Sequence, residues 1–350
     1  MKELDSIKDV WKAFEQQSDG PTIFQSWTWN RIWCEQVLAP NKKMRLAVKL
    51  VEDSMGGPMA ILPFFEQDIV GPLVQVTQFL GHRMSTYNDI LLADPNNMDL
   101  SKEIVDLLCS DRKKNSFIHL RQLSDESSFT KELLDRGLAA PQCQRAWIEA
   151  AQDGQDPLSL VSKSRRKHIR QAERRLQEKG TVVYRVCREN EFTPAFDELI
   201  HMHYQRFLQK GKDTNLTSPN ITFLKEVTAT LSKRGQAEVL QLRLNDVTIA
   251  AVLQIIDRNR YYSIQSGFDP DFAEYSPIWL LDLKSMHRGF KTLGCKGYDL
   301  GAIYNKYKYS WNPSLGMNYV ASFNADTWLV QIAQSIYRYK FKRDAHRLGV

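Results

Sequence analysis

The chain has 350 residues, of which 43% are apolar and 25% are charged, and its formal net charge is +6. This composition is that of an ordinary globular protein and argues against intrinsic disorder. The length is sufficient for two domains of usual size, each with its own core. No uninterrupted apolar run approaches the length that spans a bilayer, which argues against a transmembrane segment.

The cysteines and the first residues indicate the compartment. The cysteines are odd in number and scattered, with no CxxC pair: Cys34, Cys109, Cys143, Cys187 and Cys295. This pattern favours reduced thiols and argues against structural zinc. Residues 1–5 lack the apolar centre of a signal peptide. We therefore expect a cytoplasmic protein without a metal.

The predicted elements of the first half, taken in chain order, begin with a helix over 25–37. Two strand-like runs, 45–51 and 58–65, follow around a turn at Met55-Gly56-Gly57. The half then continues with a strand, a helix, a short strand, a helix and a last strand, predicted over 74–80, 100–109, 117–120, 127–136 and 145–150.

The second half repeats this order. Helices over 193–209 and 223–234 precede strands over 238–244 and 247–256, and the dipeptide Asn245-Asp246 between the strands suits a tight hairpin. Strand, helix, strand, helix and strand follow again, over 260–266, 277–293, 297–300, 303–309 and 319–323. The repeated order predicts a mixed α/β (α+β) fold used twice, with mostly antiparallel sheets.

A basic segment separates the two predicted domains, 1–155 and 181–350. Residues 156–180 are predicted to form a connecting helix, in which seven Lys or Arg lie between Lys163 and Arg175. Binding of a polyanion is one interpretation. The interpretation we favour for most of these charges is a solvated helix that packs through Ile169, Ala172 and Leu176.

The segment 267–311 is the most informative part of the sequence. Asp269-Pro270 ends a strand, and Ser276-Pro277 supplies an N-cap and a rigid first residue for a helix that ends near Gly294. The first turn of such a helix presents free N–H groups and the positive end of its dipole. Ser276, Pro277 and Ile278 are therefore predicted to seat a phosphate or pyrophosphate.

Three groups of residues resemble one known family. They are Phe24 to Trp29 (FQSWTW), Ser164 to Arg170 (SRRKHIR), and Tyr298 to Gly301 (YDLG) followed by Tyr307 to Trp311 (YKYSW). In this order they resemble the BioF2-like or CelD-like acyltransferases of the GNAT superfamily, which are related to the FemAB-type aminoacyl transferases. The resemblance covers nearly the whole chain and implies two tandem GNAT-like domains, of which the second binds the acyl donor.

The resemblance implies transfer of an acyl group from a thioester, usually acyl-CoA such as acetyl-CoA, to an amine. In the GNAT fold the pantetheine arm enters a gap between two strands, here 260–266 and 298–300, and the pyrophosphate lies on the helix that begins at Pro277. Gln265 and Ser266 would pair with the pantetheine amides. One departure weakens this assignment: ordinary GNAT enzymes carry a glycine-rich loop before that helix, whereas residues 272–276 (FAEYS) contain no glycine.

Candidate catalytic residues follow the gap in the sequence. Asp299 would accept a proton directly or through water, or would instead cap the next helix. Tyr304 or Tyr307 would protonate the leaving thiolate, and Lys308 would hold a phosphate or a carboxylate. These residues are expected on one face of a helix together with Trp311, for which we favour a place in the core.

The first domain and the end of the chain add two expectations. Tyr87-Asn88-Asp89 resembles the acceptor-side motif of the family, so Tyr87 and Asp89 would bind the acceptor, with Asp89 orienting its amine in a cleft between the domains. A turn aspartate is the alternative. The terminal segment, 328–347, is predicted to be a basic amphipathic helix that packs on a domain, with contact to an anionic membrane surface as the alternative.

The sequence thus favours an N-acyltransferase that moves an acyl group from acyl-CoA to the amine of an amino sugar, an amino acid or a cell-envelope precursor. The acceptor class rests on the resemblance alone. One alternative is a FemAB-type transferase that uses aminoacyl-tRNA, bound through the basic helix. The other is a binding protein without catalysis in polysaccharide assembly. Gly-x-Ser-x-Gly, Walker and Gly-x-Gly-x-x-Gly motifs are absent, and no DNA partner is expected.

Overall fold

The computed structural model describes residues 1–16, 22–111, 113–150, 156–209, 211, 214, 216–302 and 306–347. These residues form two compact units. Unit 1 consists of Met1–Gln144, Ser218–Phe223 and Gly316–His346, and unit 2 consists mainly of Arg145–Thr217 and Leu224–Leu315. Each unit is therefore built from residues that are discontinuous in the sequence.

The helices and strands have the following bounds. The α-helices are α1 Lys2–Ser6, α2 Lys8–Glu15, α3 Trp27–Trp33, α4 Met98–Ser110, α5 Ser128–Asp135, α6 Lys163–Gln177, α7 Phe192–Gln209, α8 Ser218–Ser232, α9 Pro277–His287 and α10 Trp328–Arg347. The strands are β1 Met44–Leu46, β2 Lys49–Glu52, β3 Pro58–Leu62, β4 Phe64–Asp68, β5 Gln75–Phe79, β6 Leu91–Leu92, β7 Ser116–Ser124, β8 Ala139–Glu149, β9 Val182–Cys187, β10 Ala237–Leu244, β11 Val247–Asp257, β12 Arg260–Phe268, β13 Gly297–Ala302 and β14 Ser314–Phe323.

Unit 1 contains a sheet of order β1-β4-β5-β7-β14 and a smaller sheet of order β2-β3-β6. The β5–β7 pair is parallel, and the other pairs of the larger sheet are antiparallel. Helices α4 and α5 bury their apolar faces with residues of these strands in one core. Asn97 and Ser127 cap the two helices, each through its side-chain oxygen.

The hairpin of the first half differs from the predicted one. Each predicted strand is divided in two, 45–51 into β1 and β2, and 58–65 into β3 and β4. Pro63, which has no N–H to donate to a ladder, separates β3 from β4. Because β1 pairs with β4 while β2 pairs with β3 in the smaller sheet, the prediction of one simple hairpin is wrong.

Unit 2 contains a sheet of order β9-β10-β11-β12-β13-β8, in which β8 contributes residues 145–149. The predicted hairpin is confirmed, because Asn245 and Asp246 have φ angles of 48° and 67° and connect β10 directly to β11. Two successive positive φ angles define the tight turn that matches strand twist. Strand β9, at the edge, is an element that the periodicity did not predict.

The two sheets share one connectivity. In β4-β5-β7-β14 of unit 1 and in β11-β12-β13-β8 of unit 2, an antiparallel pair, a parallel pair and an antiparallel pair follow one another. The last strand of each series comes from the other half of the sequence. The predicted mixed α/β fold with mostly antiparallel sheets is confirmed.

The two basic helices are present. In α6, Ile169, Ala172 and Leu176 are buried, which confirms the packing predicted for this segment. In α10, Val330 and Ala333 are buried in unit 1, which confirms that this helix packs on a domain. Within the ranges that the structure describes, no helix is both long and apolar enough to cross a membrane.

Candidate active site

Strands β12 and β13 pair over only three residues and then part. Arg260, Tyr261 and Tyr262 face Gly297, Tyr298 and Asp299 in parallel register, and no further pair follows although both strands continue. We call the space between residues 263–268 and 300–302 the slot. Because alternate residues of a strand direct their N–H and C=O groups to opposite neighbours, the two edges of the slot carry backbone groups that face no strand.

A bulge marks the point at which the slot begins. The register of β12 against β11 changes between Leu253 and Gln254, so that Ser263 faces Gln254, Gln265 faces Leu253, and Ile264 is left over. A bulge bends its strand and increases the local twist. The bulge therefore accounts for the separation of β12 from β13 immediately after Tyr262.

The corresponding gap in unit 1 is filled by the chain itself. Strands β5 and β7 also pair over three residues, from Gln75–Ser116 to Thr77–Ile118. Beyond them Asn88 donates its backbone N–H to Gln122 O at 2.8 Å and its side-chain amide to Arg121 O at 3.1 Å. Among the described residues of unit 2, no backbone segment bridges β13 in this way.

Asp299 lies at the parting point and is almost completely buried. Its Oδ1 accepts the backbone N–H of Gly301 at 2.6 Å, and its Oδ2 lies 3.8 Å from Arg260 Nη1. Gly301 has a φ of 68°, and the register of β13 against β8 changes between Asp299 and Gly301. These contacts are those of a turn ligand, the alternative interpretation of this residue, together with an ion pair.

Residues Lys306–Trp311, which include the second half of the predicted helix 303–309, form a 3-10 helix and not an α-helix. This helix ends at Trp311 because Asn312 has a φ of 50° and Pro313 follows. Tyr304 lies outside the described residues. Trp311 is buried in the core of unit 2 with its ring 4.6 Å from that of Trp279, as the core interpretation predicts.

Lys308 and Tyr307 reach β13 and the interior from this 3-10 helix. The Lys308 ammonium donates to Leu300 O and, at 2.8 Å, to Ala302 O, two carbonyls of the slot edge of β13 that lie two residues apart. Tyr307 is half-buried, and burial, with the nearby Asp282 carboxyl, raises its pKa. The phenol therefore keeps its proton at neutral pH.

Gln265 and Ser266 lie on β12 at the slot, and both contact His203 of α7. The Gln265 amide nitrogen lies 2.6 Å from His203 Nδ1, and Ser266 O lies 3.4 Å from the same atom. His203 Nε2 lies 2.8 Å from Thr214 Oγ1. Burial lowers the pKa of His203 to about 4, so the imidazole is neutral at neutral pH.

The start of α9 agrees with prediction in position but not in chemistry. Pro277 is the first residue and Ser276 is the N-cap residue, as predicted, but the Ser276 side chain makes no capping hydrogen bond. Ser276 has a φ of 49°, whereas a capping serine has an extended backbone. Trp279 N–H and Leu280 N–H both donate to Ser276 O, which leaves Ile278 N–H as the free donor of the first turn.

Side chains of α6 surround this helix start. The Ser276 hydroxyl lies 3.0 Å from His168 Nε2, and the Arg165 guanidinium lies 4.6 Å from the centre of the Trp279 ring. A positive side chain beside the positive end of a helix dipole favours an anion there. The predicted phosphate seat at Ser276, Pro277 and Ile278 thus consists of one backbone donor and two cationic or donor side chains.

A buried polar network at the parting point was missed in the sequence. The Tyr298 hydroxyl donates to Asp282 Oδ1 at 3.0 Å, accepts from Gln254 Nε2 at 3.1 Å, and contacts Ser263 and Ser285. Asp282 Oδ2 and Gln254 Oε1 are buried without a hydrogen-bond partner among the described residues. The signal available in the sequence was an aspartate inside the apolar run Leu280-Leu281-Asp282-Leu283.

Burial controls the charge of this network. Loss of solvent raises the pKa of Asp282 to about 7, against the opposing effects of the Tyr298 hydrogen bond and the charge of Lys308. The carboxyl is therefore able to exchange a proton near neutral pH. Perturbed carboxyls of this kind are common at sites of acid–base chemistry.

Arg206 of α7 places an uncompensated charge near the slot. Its guanidinium lies 4.8 Å from the centre of the Phe268 ring on β12, and burial lowers its pKa. Its Nε is buried without a partner, and no carboxylate pairs with it among the described residues. A half-buried cation without a partner favours an anionic group of a ligand.

Tyr87 and Asp89 lie in unit 1. Tyr87 O accepts the Gln25 amide at 2.7 Å, and the Tyr87 ring meets the edge of Phe24. Asp89 Oδ1 accepts the N–H of Ile90 at 2.8 Å, and burial raises the pKa of Asp89 to about 7 although Ser127 donates to it. Both residues are held by their own unit.

Metal binding finds no support in the described ranges, where no group of three or more His, Cys, Asp and Glu side chains is placed to hold an ion. The polar groups collected around the slot are instead hydroxyls, amides, carboxyls and guanidinium groups. Such groups orient a ligand and move protons.

Comparison with known proteins finds one matching family model and several solved structures of similar fold. Residues 163–309 match the family model of the acetyltransferase (GNAT) domain, whereas no curated protein matches the chain. FemX has a TM-score of 0.64 at 12% identity over 93% of this chain and 98% of FemX. The C-terminal domain of a putative lysylphosphatidylglycerol synthetase from Agrobacterium fabrum has a TM-score of 0.56 at 13% identity over 97% and 95%. L-PGS from Bacillus licheniformis has a TM-score of 0.52 at 12% identity over 91% and 98%.

Proposed function

We propose, from the match of residues 163–309 to the acetyltransferase (GNAT) domain, that the protein is an N-acyltransferase whose acyl donor, an acyl-CoA such as acetyl-CoA, binds in the slot of unit 2. The match to the GNAT domain and the similarity in fold to FemX support this proposal. The donor, the acceptor and the residue roles are the proposal.

The observation that carries the proposal is the early end of the β12–β13 ladder. An extended arm that contains amides, such as pantetheine, pairs with strand edges by the same hydrogen bonds that a strand uses. The slot lies inside the matched segment. The start of α9, with Arg165 and His168 beside it, is the proposed anion-binding site in the same unit.

The residues around the parting point are proposed to carry the proton transfers. The acyl carbonyl requires N–H donors, the amine must lose a proton, and the thiolate must gain one. We assign the acid role to Tyr307, the phenol that the 3-10 helix after β13 brings to the interior of unit 2. Asp299 is the proposed acceptor of the amine proton, and Lys308 holds the edge of β13 in place through its two carbonyls.

The acceptor is proposed to be the amine of an amino sugar, an amino acid or a cell-envelope precursor, from family resemblance. Asp89 is the proposed contact for its ammonium group, with Tyr87 beside it. A carboxyl with a pKa of about 7 accepts a proton readily at neutral pH. In an assay of free thiol release with a panel of amines, Asp89→Asn is expected to raise KM for the amine without changing CoA affinity.

Calorimetry of the whole chain with CoA and with pantetheine tests the donor assignment. Arg165→Ala is expected to weaken CoA binding about tenfold or more, while pantetheine, which has no pyrophosphate, should bind as before. Arg174→Ala is the matched control, since Arg174 lies on the same helix but pairs with Glu178. Absence of CoA binding to the parent protein would overturn the donor assignment.

One observation favours a second candidate donor, aminoacyl-tRNA. In the first half of α6, Lys163, Lys167 and Arg170 are exposed, and none of them pairs with a carboxylate among the described residues. Exposed cations on one short segment suit a phosphate backbone. Binding of a bulk tRNA fraction that falls steeply with salt, without any binding of CoA, would select this donor instead.

A further inference from the structure

Helix α10 carries a stripe of exposed apolar side chains on unit 1. Trp328, Ile332, Ile336 and Tyr339 lie three or four residues apart and therefore share one face of the helix. Their exposed fractions are 73%, 50%, 63% and 67%. Single exposed apolar residues are ordinary, but four large ones in a row mark a binding surface. We call these four residues the α10 stripe.

The opposite face of α10 anchors the helix. Val330 and Ala333 are buried in the core of unit 1. The Tyr337 hydroxyl donates to Gln78 Oε1 at 2.8 Å, and its ring meets the edge of Phe117. The helix is therefore fixed through one apolar face while a second apolar face points to solvent. A core contact does not explain the second face.

The chain beyond the stripe is strongly basic. Residues 338–347 contain five basic residues against one acid, Asp344, namely Arg338, Lys340, Lys342, Arg343 and Arg347. Anionic lipid attracts such residues by about 1 kcal/mol for each Lys or Arg near the surface. Tryptophan and tyrosine at the ends of the stripe suit the boundary between headgroups and acyl chains.

A lipid surface fits this stripe better than a protein partner does. A stable protein interface covers about 800 Å² on each partner and needs a broad complementary patch. A stripe that is one helix wide and continues into a basic run is instead the pattern of a helix lying in the plane of a membrane interface. Such docking requires no spanning helix.

We propose that the α10 stripe and the basic run after it dock the protein on the surface of an anionic lipid bilayer. The stripe enters the boundary between headgroups and acyl chains, and the basic run binds the lipid phosphates. The inference does not depend on the acyl donor, because α10 belongs to unit 1 and the slot to unit 2.

Sedimentation of the full chain with vesicles tests the proposal. The protein is expected to sediment with an equal mixture of phosphatidylcholine and phosphatidylglycerol, and only weakly with phosphatidylcholine alone. The double variant Ile332→Ser, Ile336→Ser should partition about tenfold or more weakly, and a tenfold rise in NaCl should weaken the parent about as strongly. Equal binding by the parent and the double variant would overturn the proposal, as would failure of the parent to bind.

Two controls separate docking from other effects. Met55→Ser and Val247→Ser remove exposed apolar side chains elsewhere and should leave binding unchanged. Trp328→Phe should still sediment with the vesicles. Its tryptophan fluorescence should be quenched far less by brominated lipid than that of the parent, because the other described tryptophans, except the half-buried Trp147, are buried. If the parent protein forms dimers in solution, and the double variant abolishes the dimers without any effect on vesicle binding, the stripe binds a second copy instead.

Discussion

Replacing Asp282 with Asn is expected to stabilise the protein at alkaline pH and to change it little in acid. Burial raises the pKa of Asp282 to about 7, from 3.8 for an ordinary carboxyl. Between these values the folded protein holds a proton that the unfolded chain has lost, so the stability of the parent falls as pH rises through the window. At about 1.36 kcal/mol for each pKa unit, the whole difference is about 4 kcal/mol above pH 7.

The asparagine keeps the shape of the network without its charge. Its carbonyl accepts from the Tyr298 hydroxyl as Asp282 Oδ1 does, and its amide cannot ionise. Thermal midpoints of the parent and of Asp282→Asn, measured from acid to alkaline pH, should therefore diverge in favour of the variant. Since 1 kcal/mol shifts the midpoint by about 2–4 °C for a protein of this size, the divergence should reach roughly 10 °C.

Asp271→Asn is the matched control for this experiment. Asp271 lies in the same unit and is exposed, so the difference between its variant and the parent should be the same at every pH. A difference for Asp282→Asn that also stayed constant with pH would refute the reasoning. It would show that the buried carboxyl ionises as readily as one on the surface.

Three further predictions follow from the residues around the slot. Burial lowers the pKa of His203 to about 4, so stability that depends on the neutral imidazole is lost as pH falls from 6.5 towards 4. As the pH falls through this interval, the free energy of unfolding of His203→Gln should decrease by about 3 kcal/mol less than that of the parent. Equal decreases would contradict this. Lys308→Met removes the donor to Leu300 O and Ala302 O and should cost about 1–3 kcal/mol by thermal unfolding, whereas an unchanged midpoint would exclude a role in holding β13. Because Ser276 has a positive φ and makes no cap, Ser276→Gly should be about 1 kcal/mol more stable than Ser276→Ala, and equal midpoints would count against backbone strain.

Local sequence signals predicted most of the fold. Asn245-Asp246 predicted the hairpin between β10 and β11, and Ser127 predicted the start of α5, because turn and cap chemistry acts within a few residues. Gly294, with a φ of 68°, follows the π-helical turn Arg288–Thr292 that continues α9 and so ends the helical segment, as expected. The same signals account for the order of strands and helices except at the divided hairpin strands of the first half and at strand β9.

Pairing between distant residues could not be predicted from these signals. Residues 145–149 of β8 pair with β13, and β14 pairs with β7. The alternation of apolar and polar residues along one strand does not indicate which strand lies beside it. The network around Asp282 joins three strands and a helix, so its members are not neighbours in the sequence. The Ser276 side chain makes no capping hydrogen bond because its backbone has a φ of 49°, and its hydroxyl instead contacts His168, 108 residues away.

The filled gap in unit 1 supports the proposed use of the open one in unit 2. Both parallel pairs stop after three residues, which leaves backbone groups at the strand edges without a strand. In unit 1 an extended segment supplies the missing partner, since Asn88 N–H donates to Gln122 O. In unit 2 Lys308 donates to Leu300 O and Ala302 O of β13, so among the described residues the backbone groups that face neither a strand nor a side chain of the slot edge are those on the β12 side. Under the proposed function, an arm with amides at intervals, as in pantetheine, pairs with that side of the slot as the chain itself pairs with β7 in unit 1.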